Sequence, residues 1–464
     1  MMTAMVFGLA IGIVSKFVLA ANLGAEIFGN FTFASALVGF FLLLVNTTGD
    51  RYIVITKHDQ EKAVNTVFTT EIILLVLLVV AWFCISPFFW KKLSNGMSWW
   101  LASLLLLQGL SHPFGRPRAL LERTLNFKII SIVNVISQFI FAAVAIVLAI
   151  YIKNELPLIV MTFQFILTSV VFIKAGKVRL RLFIDPQIFR EYIRLCLPLM
   201  ASGLLVFAYW NGDRLLLDQF VNRENIGYYG WAFSLGIIVL RLKDVVGGVM
   251  FPVFAEFMRS DQREQVGKGL TEIYRTLMLV TGLIVPALIV TAPHYIHFAG
   301  EQWIAATSCV QIAILIFALR SLNGFLEPIF ITHSRSQQLM YIALLNACII
   351  LLGGWIALLW LPRIEIMASV ILLACIITFL ISIRVIYHAV GINIFRIIVP
   401  GLTFSLLSGL IMYIWIHYYG SHTSAVLIAV VLGSLLYALC MWKDIFQLAL
   451  LIRLHLLKRD CNNE

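Results

Sequence analysis

Long apolar runs recur along the whole 464-residue chain, and they constrain its fold more than any other feature. Residues 65–89, 129–152 and 337–361 are three such runs. About twenty apolar residues cross a ~30 Å hydrocarbon core as an α-helix. The runs are continuous and do not alternate with period two, which argues against a membrane β-barrel. With 61% hydrophobic and only 12% charged residues, the chain is predicted to be an all-α integral membrane protein.

Fourteen membrane-spanning helices are predicted when a window of about 19 residues is moved along the sequence. The predicted spans are 1–21, 27–46, 65–89, 97–115, 129–152, 156–174, 195–217, 227–250, 271–292, 303–325, 337–361, 364–388, 397–418 and 422–440. The connections between them are short and leave no room for a soluble domain. The first span lacks the basic start and the small-residue cleavage site of a signal peptide, so it is expected to remain in the protein.

The distribution of Lys and Arg between the connections predicts the orientation. Even-numbered connections and the C-terminal tail hold 24 of these residues, whereas odd-numbered connections hold 5. Because positive loops stay in the cytoplasm, both termini are predicted to be cytoplasmic. The net charge of +11 is then loop charge that faces anionic lipid, and it does not call for nucleic-acid binding.

An internal repeat emerges when the chain is aligned with itself at an offset of 198 residues. The informative matches are Lys16 with Arg214, Glu26 with Glu224, and Gly29 with Gly227. A repeat separated by six spans keeps its membrane orientation, as the parallel repeats of some transporters do. The alternative is that short outer turns favour Gly and an acidic residue by themselves. That alternative does not explain a cation thirteen residues before the Gly in both copies.

Five cations fall inside predicted spans, where each costs about 2.5–3.5 kcal/mol at the bilayer centre. They are Lys16, Arg214, Arg241, Lys243 and Arg320. One interpretation is that Arg214 with Asp218 and Arg241 with Asp244 form ion pairs within their own helices. The other is that the cations line a hydrated cavity between two halves of the protein, where they would bind an anion such as a phosphate.

The sequence contains no pattern that predicts catalysis. The seven cysteines include no Cys-x-x-Cys spacing, and His294 with His297 is the only close histidine pair, which is expected to be solvated on a short loop. No nucleophile elbow or phosphate-binding loop occurs. The chain is therefore predicted not to be an enzyme and to hold no metal or cofactor.

Three segments resemble the polysaccharide flippases of the multidrug/oligosaccharidyl-lipid/polysaccharide exporter superfamily, in the branch that moves O-antigen and other repeat units. They are LAANLGAEIFGNFTFASAL at 19–37, NTTGDRY at 46–52 and HPFGRPRALLERTLNFK at 112–128. The segment DRLLLDQFVNRENIGYYGWA at 213–232 is similar to the link between the seventh and eighth spans of this group. The chain departs from the family at Met1, where members usually carry a longer basic N-terminus, and this leaves open whether the first helix is complete.

The resemblance implies two six-helix lobes related by a pseudo-two-fold axis, at 1–190 and 191–390, then two further helices at 391–440 and a cytoplasmic tail at 441–464. It implies a bacterial inner-membrane protein that translocates a polyprenyl-pyrophosphate-linked oligosaccharide by alternating access. A polysaccharide polymerase and a chain-length regulator are the partner proteins it suggests. The residues expected to contact the substrate are Lys16, Arg51, Arg214, Arg241, Lys243 and Arg320, and those expected to couple transport to an ion are Asp213, Asp218 and Asp244.

Two other functions remain open at this point. An ion-coupled drug or metabolite exporter of the same fold would depend on buried acidic residues more than on cations. A membrane-embedded glycan polymerase would form glycosidic bonds, and it usually needs a large loop outside the bilayer.

Overall fold

The computed structural model describes residues 2–46, 49–93, 99–124, 126–258, 263–324, 330, 336–391, 393–420 and 422–447. Within these ranges, the side chains of 2–6, 85–93, 99, 198, 201, 242, 244–258, 263–268, 336 and 389–390 lie outside the described part. Over the described residues every regular element of secondary structure is a helix, as the composition predicts.

Twenty α-helices follow one another along the described chain, joined by short turns. They are α1 Met2–Asn22, α2 Ala25–Leu42, α3 Gly49–Ile55, α4 Gln60–Leu93, α5 Trp99–Leu106, α6 Ser111–Gly115, α7 Arg118–Arg123, α8 Phe127–Tyr151, α9 Leu156–Thr162, α10 Phe165–Ala175, α11 Pro186–Leu217, α12 Arg223–Met258, α13 Arg263–Val290, α14 Ala292–Ile296, α15 Thr307–Asn323, α16 Ser336–Cys348, α17 Gly354–Trp360, α18 Ile364–Val390, α19 Phe395–Tyr419 and α20 Thr423–Cys440. Short 3₁₀ turns lie at Leu107–Leu110, His297–Ala299 and Glu301–Ala306, and a π-helical turn lies at Ile349–Gly353.

Ten helical stretches of the described chain are long and apolar enough to cross a membrane, and they coincide with ten of the fourteen predicted spans. The prediction for 195–217 falls on α11, whose halves Pro186–Leu197 and Ser202–Leu217 meet at 47° and would add an eleventh. The protein is therefore a multi-pass membrane protein.

Three predicted spans are not among these stretches of the described chain. In the first, α1 extends over Met2–Asn22, but its side chains are described only from Phe7 onward. The region 97–115 is divided between α5, a 3₁₀ turn and α6. The region 227–250 lies in α12, which carries Arg241, Lys243 and Asp244 within it.

The described chain forms two compact units. The first contains Met1–Trp231 and Ala347–Met367, and the second contains Ala232–Asn346 and Ala368–Glu464. In the first unit, a core centred on Phe33, Trp82 and Leu105 packs α2 against α4 and α5. In the second, Tyr274, Phe379 and Ile398 belong to a core shared by α13, α18 and α19.

Helix α8 shows how the units expose apolar surface. Its buried positions are small, with Ser137, Ala142 and Ala145 almost completely covered. Its exposed positions are large and apolar, among them Phe139 and Val147. Small residues let helix backbones approach closely where lipid competes equally well for large apolar groups. The exposed face of α8 is therefore suited to contact with acyl chains.

The last two helices pack on α13 in the same manner. The hydroxyl of Tyr437 on α20 donates a hydrogen bond of 2.7 Å to the carbonyl of Met278 and lies directly over Gly282. Gly401 of α19 packs on the side chain of Met278. Beyond α20, the Arg275 guanidinium of α13 lies 2.7 Å from the carboxylate of Asp444. The two C-terminal helices are thus an integral part of the second unit.

A buried ion-pair cluster in the first unit joins α3, α4 and the residue that follows α6. The guanidinium of Arg116 donates two hydrogen bonds, of 2.7 and 2.6 Å, to the two oxygens of Glu71, and a third to Asp50. The side chains of Arg116 and Glu71 are 6% and 0% exposed. Burial by itself would lower the pKa of Arg116, but the two carboxylates outweigh it and the pKa is raised. The cluster therefore stays charged.

Replacing Arg116 with methionine leaves the Glu71 carboxylate buried and unpaired, which costs about 3–5 kcal/mol for a fully buried pair. We expect the purified Arg116→Met protein to unfold at a clearly lower temperature than the wild type. Arg118→Met is the matched control, because Arg118 pairs with Glu122 on the surface and its loss should change little. The double variant Arg116→Met/Glu71→Met should unfold at a higher temperature than Arg116→Met alone, and the opposite order would contradict this account.

Candidate functional site

The two segments that the 198-residue offset aligns meet at a crossing of α2 and α12 inside the first unit. A Cβ placed on Gly29 would overlap the carbonyl oxygen of Arg223, and one placed on Gly227 would overlap that of Ala25. A Cβ on Gly29 would also lie 3.1 Å from the Gly227 nitrogen, and a Cβ on Gly227 would lie 3.0 Å from the Gly29 nitrogen. Only glycine permits backbones to approach so closely.

The crossing is reciprocal. Gly29 and Gly227 are matched by the 198-residue offset, and so are Ala25 and Arg223. Gly29 contacts Arg223, and Gly227 contacts Ala25, the residue that the offset matches with Arg223. Such a reciprocal contact is expected across a two-fold axis. One turn further along, Gly230 packs on the side chain of Thr32 and extends the contact. The sequence comparison identified the glycine match but not the contact.

Arg223 joins this crossing to the end of α11. Its Nη1 lies 2.8 Å from Oδ1 of Asp218, and its Cζ lies 4.1 Å from the centre of the Phe33 ring of α2. Both charged side chains are buried. Burial raises the pKa of the Asp218 carboxyl, and the Arg223 guanidinium offsets part of that rise. Sequence reasoning had treated Arg223 only as a loop cation.

Asp213 and Arg214 lie one turn earlier on α11. The hydroxyl of Tyr229 on α12 donates a hydrogen bond to the buried carboxylate of Asp213. Because Asp218 pairs with Arg223, the Arg214–Asp218 pair that the spacing allowed does not form. The Nε atom of Arg214 is buried and has no hydrogen-bond partner within the described part of the chain.

Lys16 lies on α1 of the same unit and is half-buried. The adjacent Phe17 ring makes an edge-to-face contact with Trp231 of α12, with ring centres 5.6 Å apart. Lys16 thus belongs to the helix that packs beside the crossing. Arg51 lies on α3, exposed, next to the Asp50 of the buried ion-pair cluster.

The remaining predicted cations belong to the second unit. The Nζ of Lys243 would lie 3.0 Å from a Cβ on Gly324, the C-cap of α15, and Arg320 occupies the last turn of the same helix. The C-terminal end of a helix attracts cations through its partial negative charge, which accounts for this placement. Arg241 is exposed on α12. The side chain of Asp244 lies outside the described residues, so its pairing with Arg241 stays a prediction.

Across the residues whose placement is described, no three His, Cys, Asp or Glu side chains converge as metal ligands would. The chemistry that the described groups of the first unit offer is therefore that of guanidinium, ammonium and carboxylate groups beside a tight backbone crossing. Such groups can bind an anion or exchange a proton.

The fold matches those of solved transporters. The lipid II flippase MurJ in an inward closed conformation superposes with a TM-score of 0.77 over 97% of this chain and 99% of that chain, at 16% identity. An inward-facing multidrug resistance MATE family transporter of the MOP superfamily gives 0.55 over 84% and 96%, at 13% identity. Its outward-facing counterpart gives 0.51 over 85% and 94%, at 12% identity. At these identities the likeness establishes the fold alone.

No curated protein sequence matches the chain. Residues 18–308 match the family described as "Polysaccharide biosynthesis protein", which amounts to more than half of the sequence. The match contains α2, the crossing glycines and all the charged residues of α11. The chain belongs to this polysaccharide biosynthesis family and has the fold of the MOP-superfamily transporters.

Proposed function

We propose that the protein is a flippase for a polyprenyl-pyrophosphate-linked oligosaccharide, such as the repeat unit of O-antigen or of another surface polysaccharide. Transport runs across the bacterial inner membrane, with both termini in the cytoplasm. The family supports a role in polysaccharide synthesis, and the shared fold supports a transporter.

The observation that carries the proposal is the state of Arg214. The acidic residues on either side of it in sequence, Asp213 and Asp218, are engaged by Tyr229 and Arg223. Its Nε has no hydrogen-bond partner within the described chain. A cation at such depth is costly unless it faces water or an anion, and the oxygens of a pyrophosphate suit a guanidinium.

A pyrophosphoryl glycan cannot enter hydrocarbon, because its charge and hydroxyl groups would lose their hydration. A hydrated chamber that opens to one side at a time replaces that water while the polyprenyl tail stays in lipid. We assign substrate contact to the six cations predicted from the sequence: Lys16, Arg51, Arg214, Arg241, Lys243 and Arg320. Ion coupling is assigned to Asp213, Asp218 and Asp244.

The proposal retains fourteen spans, arranged as lobes at 1–190 and 191–390, with extra helices at 391–440 and a tail at 441–464. The reciprocal contact of Gly29 and Gly227 supports a two-fold relation between the lobes. A polysaccharide polymerase and a chain-length regulator are the partner proteins that we propose for this role.

The α2–α12 crossing has a role in the proposed alternating opening of the chamber. It lies beside the first and seventh connections, which the charge distribution assigns to the periplasm. We propose that it seals the periplasmic side and separates when the glycan is released. The Arg223–Asp218 pair fixes the start of α12, whose Arg223 carbonyl faces Gly29, and protonation of Asp218 would weaken this pair by removing the carboxylate charge.

A drug exporter of the same fold is the second candidate, favoured by the likeness to MATE family transporters. The two candidates differ in which charges they need. An exporter of cationic drugs depends on Asp213 and Asp218, whereas the flippase depends on Arg214 and Lys16.

The flippase role is tested with the full chain in liposomes that contain a fluorescent polyprenyl-pyrophosphate oligosaccharide. We expect wild-type protein to move the label between leaflets, measured by its protection from an impermeant reductant. Lys16→Ala and Arg214→Ala should each lower the rate at least about tenfold, because each removes a charge-assisted contact of roughly 1.5–3 kcal/mol. In cells, both variants should impair surface polysaccharide display.

Lys153→Ala is the matched control, since it removes an exposed cation outside the proposed site. Wild-type flipping and display by both Lys16→Ala and Arg214→Ala, at normal protein levels, would contradict the assignment. Drug efflux that survives Arg214→Ala and is lost in Asp213→Asn would favour the exporter.

The periplasmic seal is tested by Gly29→Ala and Gly227→Ala. Each added methyl group would collide with a backbone carbonyl, so the crossing cannot close fully. We expect each variant to reach the membrane but to lose most of its flipping activity. Gly203→Ala is the control, because a Cβ at that position meets nothing within 4 Å. Full activity in Gly29→Ala would show that the crossing is not a seal.

A further inference from the structure

The connection between α10 and α11 carries a dense positive charge that the proposed function does not use. Six cations lie within 174–194, and all are exposed: Lys174, Lys177, Arg179, Arg181, Arg190 and Arg194. The two acidic residues of the segment are engaged elsewhere. Asp185 caps α11 by accepting hydrogen bonds from the Gln187 and Ile188 amides, and Glu191 lies 2.8 Å from His58.

The backbone of this segment is fixed to α4 by polar side chains. The Arg181 amide donates a hydrogen bond of 2.9 Å to Oδ1 of Asn65, and the Phe183 amide donates one of 2.9 Å to Oγ1 of Thr69. The Asp185 amide donates one of 3.1 Å to Oγ1 of Thr66. The segment is therefore a rigid extended strand of chain and not a loose linker.

The extended conformation separates two faces. Val178 and Leu180 pack against the buried cluster that contains Tyr52 and Ile188. Because side chains alternate in an extended chain, Arg179 and Arg181 point to the other face, where they are exposed. The cations are thus presented in one fixed orientation.

Large apolar side chains lie beside these cations. Leu182, Phe183 and Ile184 are 74%, 44% and 38% exposed. The segment joins α10 to α11, which both continue into predicted spans, so it lies where the chain leaves the bilayer. Exposed apolar groups flanked by cations at that depth are the pattern of a surface that binds the lipid interface.

We propose that residues 177–194 form a binding surface for anionic phospholipids. Arg179, Arg181, Arg190 and Arg194 contact the phosphate headgroups, while Leu182 and Phe183 reach the boundary of the acyl chains. An acidic protein could pair with these arginines, but it would leave the side chains of Leu182 and Phe183 exposed to water. This inference needs only a membrane protein and holds for any cargo.

The test uses the purified full chain in neutral detergent, titrated with phosphatidylglycerol or phosphatidylcholine and read by native mass spectrometry. We expect the wild type to bind phosphatidylglycerol at least about tenfold more tightly. Each cation near a membrane surface is worth about fivefold in affinity. The variant Arg179→Gln/Arg181→Gln/Arg190→Gln/Arg194→Gln should therefore lose most of this preference.

Two further variants make the result specific. The set Lys153→Gln/Arg363→Gln/Arg384→Gln/Arg396→Gln removes four other exposed cations and should keep the preference. Leu182→Ser/Phe183→Ser should weaken phosphatidylglycerol binding but not the binding of inorganic pyrophosphate. Thermal unfolding confirms that each variant is folded.

Three outcomes would overturn the proposal. The first is a wild type with no preference for phosphatidylglycerol, which would leave an acidic protein as the partner. The second is an equal loss of the phosphatidylglycerol preference in the control set, which would show that total charge alone determines lipid binding. The third is full phosphatidylglycerol binding by Leu182→Ser/Phe183→Ser together with competition by inorganic pyrophosphate, which would identify a soluble phosphate as the ligand.

Discussion

The contact of two backbones at Gly29 and Gly227 is the constraint on which the rest of the candidate site depends. It brings α2 and α12 so close that no side chain fits between them. It also places the guanidinium of Arg223, which pairs with Asp218 at the end of α11, against the Phe33 ring of α2. A wider crossing would separate Arg223 from that ring.

The remaining structure follows from folding in lipid. Large apolar residues face outward on α8 while Ser137 and Ala145 face inward, because hydrocarbon gives no advantage to burying large side chains. Charged groups are then tolerated inside a unit only when they are paired, as Arg116 and Glu71 are, or when they have a use. Arg214 attracts attention for the second reason, because its Nε has no hydrogen-bond partner within the described part of the chain. The proposed transport of an anionic glycolipid gives that cation a function.

Hydropathy predicted the fold well because span length is set by the bilayer, a uniform constraint that a window of residues can detect. It was less successful at 97–115, where α5 and α6 are separated by a 3₁₀ turn that hydropathy does not register. Pairing within the site was harder to predict. The spacing of Arg214 and Asp218 obeys a local helix rule, but Asp218 pairs with Arg223 beyond the end of the helix. Arg116 and Glu71 are 45 residues apart, so no local pattern could join them. The alignment at an offset of 198 residues identified both crossing glycines, because so close a backbone contact requires glycine at a fixed position. A salt bridge does not require one residue type in this way.

The central proposal is that the α2–α12 crossing closes the periplasmic side of the protein and separates during transport. The most direct measurement is the distance between spin labels in Ala21→Cys/Gln219→Cys, in a chain whose seven native cysteines are serine. These two positions are exposed, are matched by the 198-residue offset, and immediately precede the crossing helices. In nanodiscs the account predicts one short distance without substrate and a second, longer population when a polyprenyl-pyrophosphate oligosaccharide is added. A single distance that the substrate leaves unchanged, in protein that still flips it, would contradict the account.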